Sequence, residues 1–109
     1  MNEIAPSLRE HCDGWERTIT ALRGRRWVAE YMGSAAPVQV ERELPTGELF
    51  YFRARHADAS LAVGGDDPAD IPLWRMEAPC EDASYLPGHR GLEVILRLWE
   101  VYGTFTSQA

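Results

Sequence analysis

From Trp15 the apolar positions recur three and four apart, at Trp15, Ile19 and Leu22, which is one stripe of a helix. Asp13-Gly14-Trp15-Glu16 has capping-box spacing: Asp13 accepts from a first-turn amide and Glu16 reaches back. The pattern predicts a helix from Asp13 to a stop at Gly24, after a frayed segment over 1–12. A second stripe, Leu92, Ile95, Leu96, Trp99 and Tyr102, predicts a helix over about 90–102. Gly103 ends it, and 104–109 is predicted to fray.

Between the helices the period changes to two. Over 25–32, Trp27, Ala29 and Tyr31 alternate with Val28, Glu30 and Met32, which favours a strand over a continued helix. Val38, Val40 and Leu44 share a face with Arg42, opposite Gln39, Glu41 and Glu43. Pro45-Thr46-Gly47 is a turn. It leads into the clearest strand, with Phe50, Phe52 and Ala54 on one face and Tyr51, Arg53 and Arg55 on the other. Ala57-Asp58 is a second tight connection, and Ala59, Leu61 and Val63 alternate as another strand before Gly64-Gly65. Residues 66–72 are a loop by composition. Leu73–Glu77 is a short edge strand between Pro72 and Pro79, with Trp74 and Met76 inward. Residues 78–89 are read as irregular.

Tight turns between successive strands mean antiparallel pairing. The chain is therefore predicted as one α+β domain over 1–109 in two layers. An antiparallel sheet of four to five short strands carries an N-terminal and a C-terminal helix on one face. The other face then presents Tyr51, Arg53 and Arg55, joined by Arg42 or Arg75 according to register. Guanidinium groups beside an aromatic ring suit a carboxylate, a phosphate or a stacked ring. Against this stands plain cross-strand pairing of the same arginines with Glu41, Glu43, Glu48 and Glu77.

At 109 residues the chain is long enough for one core without metal or disulfide staples. Its eleven basic residues are all Arg, against seventeen acids, for a net charge of −6. The excess sits in 58–82, where seven acids face only Arg75. Such a balance lacks a nucleic-acid footprint. Asp66, Asp67 and Asp70 instead offer an acidic surface to a basic protein partner, or simply a solvated loop. Their spacing is not that of a calcium loop. No apolar run approaches the ~20 residues of a membrane span, and the first residues carry no secretory signal pattern. Cys12 and Cys80 are then expected as reduced thiols in a cytoplasm. With His11 and His89 they lack the paired spacing of structural zinc ligands, so no metal and no cofactor is expected.

The run Leu49-Phe50-Tyr51-Phe52-Arg53-Ala54-Arg55, with Ser60-Leu61-Ala62-Val63-Gly64-Gly65, resembles a stretch in short uncharacterised proteins of high-GC actinobacteria. The likeness spans about residues 27–77. It implies the sheet and a bacterial cytoplasmic setting, and no activity.

Motifs of the common enzyme classes are missing: no phosphate loop, no Gly-x-Ser-x-Gly, no His-Glu-x-x-His, no dinucleotide fingerprint. The expectation is a non-catalytic protein-binding module, comparable in size and charge to immunity proteins and inhibitors. The alternative is a small-molecule or anion-binding domain, or a small enzyme, using the Tyr51, Arg53 and Arg55 face. A homodimer burying that face is a third expectation.

Overall fold

The computed structural model describes residues 4–32, 38–65 and 71–107; the side chains of 4–7 and 107 are not described. Helix α1 (Ile4–Gly24) leads into a meander of five strands: β1 (Val28–Tyr31), β2 (Val38–Glu43), β3 (Leu49–Arg55), β4 (Asp58–Val63) and β5 (Trp74–Pro79). A short 3-10 turn, Ala83–Tyr85, precedes helix α2 (Gly88–Ser107). The strands pair strictly in chain order and every pair is antiparallel. This is the α+β architecture that the alternation and the terminal stripes predict.

The register sorts the side chains into rows. Tyr31, Val40, Phe52, Leu61 and Met76 form the central row of the inner face. Val38, Ala54, Ala59 and Ala78 form the row beside it. Phe50, Phe52, Leu61 and Val63 are all buried, each stabilising the fold by about 1.5–3 kcal/mol at full burial for the large side chains. Trp15, Ile19 and Leu22 of α1 and Ile95, Leu98 and Tyr102 of α2 close the core from the helix side. Trp15 is its centre. Its indole donates to the Leu86 carbonyl at 2.9 Å and its ring stacks on Tyr31 at 5.6 Å. Trp27 meets Phe50 and Trp99 edge-on at 5.0 and 5.3 Å.

Both helices outrun their predicted ends. Asp13 is no helix start, because α1 begins at Ile4 and Asp13 is an exposed interior position. Gly103 is no stop, because α2 runs on to Ser107 and stacks Phe105 against Tyr102 and Trp74. Helical hydrogen bonding and that aromatic contact outweigh a glycine whose cost is about 1 kcal/mol. The buried stripe of α2 also turns toward Leu98, leaving Leu92 and Leu96 half-buried.

One face assignment changes as well. Arg42 lies in the row of Ala29 and Phe50, but its φ of 143° breaks the pleat alternation. Its side chain is half-exposed, with Nε 4.0 Å from a Glu30 carboxylate oxygen. The β5 strand extends to Pro79, further than predicted, and forms one edge of the sheet.

Candidate functional site

The face of the sheet away from the helices has its own rows. One runs Glu30, Glu41, Tyr51, Ala62, Arg75. The next runs Gln39, Arg53, Ser60, Glu77, followed by Arg55 opposite Asp58. The register therefore brings Arg75, and not Arg42, to the Tyr51–Arg53 region. Arg53 and Arg75 stand two strands apart, a backbone separation of about 10 Å from the usual strand spacing.

Two grooves meet at these arginines. The first, of about 200 Å3, is lined by Leu49, Phe50, Tyr51, Arg53, Ala62, Gly64, Pro72 and Arg75. Among the described residues it carries two cations and no acid. The second, of about 320 Å3, holds Arg53, Arg55, His56, Asp58, Ser60, Arg75 and Glu77. Arg55 thus belongs with His56 and Asp58, apart from Tyr51. Its Nε donates to His56 Nε2 at 3.0 Å.

The arginines of this face differ in how well they are satisfied. Arg75 pairs with Glu77 at 2.7 Å, i to i+2 along β5. Arg42 lies near Glu30. Arg53 has neutral cross-strand neighbours, Gln39 and Ser60, and its buried Nε has no hydrogen-bond partner among the described residues. Arg75 is therefore paired with an acid within its own strand, not across strands, and Arg53 faces neutral neighbours across both of its strand pairs. Glu48 is removed from the set altogether, since it accepts from Tyr102 and Thr46. An unsatisfied buried donor on a charged group costs about 1–3 kcal/mol or more, and the same Arg53 side chain lines both grooves.

Beside the groove, next to its lining residues Gly64 and Pro72, stand apolar residues that the alternation did not single out. Leu73 bonds back to Val63 through its amide. A Cβ on Gly64 would lie 2.8 Å from Leu73 Cβ, so the close approach needs glycine there, at φ 98°. Ile71 and Leu73 flank Pro72 and are 90% and 82% exposed. Two fully displayed aliphatic side chains either side of a proline were a readable signal, hidden inside a stretch that reads first as acidic. Asp66, Asp67 and Asp70 lie outside the described residues; their segment joins Gly65 to Ile71.

Elsewhere, a cleft of about 550 Å3 at the crossing of α1 and α2 gathers His11 and His89 with Glu10, Asp13 and Arg17. Among the described residues no three His, Cys, Asp or Glu side chains cluster as a metal site. Cys12 and Cys80 form no disulfide. Among the described residues no helix is long and apolar enough to cross a membrane. The chain matches no protein-family model, no curated protein and no solved structure.

Proposed function

We propose that the chain is a non-catalytic protein-binding module, acting as immunity proteins and inhibitors do, with the uncovered sheet face as its contact surface. The observation that carries this is the display of Ile71 and Leu73 beside a groove holding Tyr51, Arg53 and Arg75. Exposed aliphatic anchors beside Tyr and Arg form the composition of an interface centre. The segment with Asp66, Asp67 and Asp70 is tethered at Gly65 and Ile71 to the same region, which fits a partner that is basic around its rim. Its place is the bacterial cytoplasm, supported by the two cysteines outside any disulfide and by the actinobacterial likeness.

The test is capture from a lysate of the source organism, with immobilised wild type beside Leu73→Ser, Arg53→Gln and Arg97→Gln. Arg97 is exposed on α2, on the far side of the molecule from this face. A protein held by wild type and Arg97→Gln, and lost from the other two, supports the reading. Capture that ignores all three changes counts against it. Sedimentation of the pure chain as a dimer that Leu73→Ser dissociates would assign the face to a second copy instead.

A further inference from the structure

We infer that the groove between β3 and β5 is a receptor site for a carboxylate carried on a small apolar body, with Arg53 as the anion-binding residue. This deepens the proposed binding role and rests on it for one point only: whether the acid belongs to a partner protein. On this face Arg42, Arg55 and Arg75 each have a protein partner within reach. Among the described residues Arg53 has none, although its Nε is buried. A guanidinium offers its donors as a planar fork that matches a carboxylate.

The groove decides between candidate anions. Among the described residues its lining brings two arginines and no acid, with Leu49, Ala62 and Pro72 as an apolar wall and the Tyr51 ring beside them. A doubly charged phosphate would also meet Glu77 and Asp58 in the adjoining groove; a singly charged carboxylate on a hydrocarbon body matches both walls. At about 200 Å3 the site falls below the ~300–1,000 Å3 of cofactor and drug pockets. It has room for one ring or one side chain. Two sources fit: a free ring-bearing acid, or the C-terminal residue of a peptide with an apolar side chain.

The probes are 3-phenylpropionate and acetyl-Gly-Phe, each beside its neutral amide, and inorganic phosphate. The readout is the arginine Nε–H region of the nitrogen-15 NMR spectrum of the full chain. The Arg53 signal is assigned by its loss in Arg53→Lys, whose melting temperature shows that the fold is kept. A saturable shift of the Arg53 signal by the acids is expected from a charge-assisted fork, with binding about tenfold or more weaker for the amides and, read on the backbone amide signals of Tyr51 and Ala62, for Arg53→Lys. Response to the free acid alone assigns a metabolite-like ligand, and response to the peptide acid assigns a chain terminus. No shift with either acid overturns the site. So does equal binding of the amides, tighter binding of phosphate, or an Arg55 signal that moves as far as that of Arg53. Acid binding without partner capture removes the proposed function and leaves this site standing; capture without acid binding does the reverse.

Discussion

Tyr102, near the end of α2, donates its phenolic hydrogen to the carboxylate of Glu48 in the turn before β3. Tyr102 is only 8% exposed. Burial, and then the bond and charge of Glu48, push the phenol up to about 12 from the ordinary 10.0. Burial beside Cys12 and Glu16 raises Tyr31 likewise to about 12. The fold thus holds both phenols neutral where the unfolded chain ionises them. Their contribution is whole below pH 10 and is lost as pH rises from about 10 to 12. Urea midpoints measured across that window fall for wild type and fall less steeply for Tyr102→Phe. At pH 7 the same substitution costs about 1 kcal/mol, since Glu48 loses a donor. Parallel pH curves for the two proteins would show that Tyr102 is not held this way.

The helices touch where both lack side chains. A Cβ on Gly91 would sit 2.1 Å from the Trp15 ring, and one on Gly88 would sit 2.3 Å from the Gly14 carbonyl oxygen. Gly91→Ala is therefore expected to cost about 1–3 kcal/mol by overpacking. Adding Trp15→Phe should recover part of that cost, a coupling that a double-mutant cycle reads directly. Strict additivity of the two changes would place the strain elsewhere.

Gly103 is the opposite case. It lies inside α2 with open space around its missing side chain. Gly103→Ala should raise stability by about 0.5–1 kcal/mol through helix propensity and a less flexible unfolded chain. A lower melting temperature would mean that the last turn of α2 is not helical in solution.

At Gly64 the backbone conformation and the neighbour both demand glycine. Gly64→Ala displaces Leu73 or strains φ at 98°, at a cost of about 1–2 kcal/mol. Because Gly64 lines the groove, the same change should weaken 3-phenylpropionate binding in the titration that reads Arg53. Unchanged affinity in a destabilised variant would separate the groove's shape from its wall at Gly64.

The sheet was legible because the period-two alternation of 49–55 and 59–63 fixes both faces at once. Phe50 and Phe52 are buried, while Tyr51, Arg53 and Arg55 lie on the outer face. Helix ends were less legible. Local capping signals at Asp13 and Gly103 were overridden by contacts formed only in three dimensions, such as Phe105 against Trp74. Arg42 was misplaced because alternation presumes an unbroken pleat, and one unusual φ re-aims a side chain. The neighbour that completes the site, Arg75, depended on the registers of β3, β4 and β5, which composition leaves open. The unsatisfied state of Arg53 is likewise a property of its cross-strand partners, Gln39 and Ser60.

The two helices that roof the inner sheet face come from opposite ends of the described chain, with all five strands between them. A nascent chain therefore completes its meander before the second half of the roof has left the ribosome. Until then Leu61 and Val63, on the strand that α2 covers, remain wet, and Trp15 lacks the Leu86 carbonyl it bonds in the finished fold. Emergence and docking of α2, more than strand pairing, then set the moment at which this core closes and the chain becomes resistant to proteases.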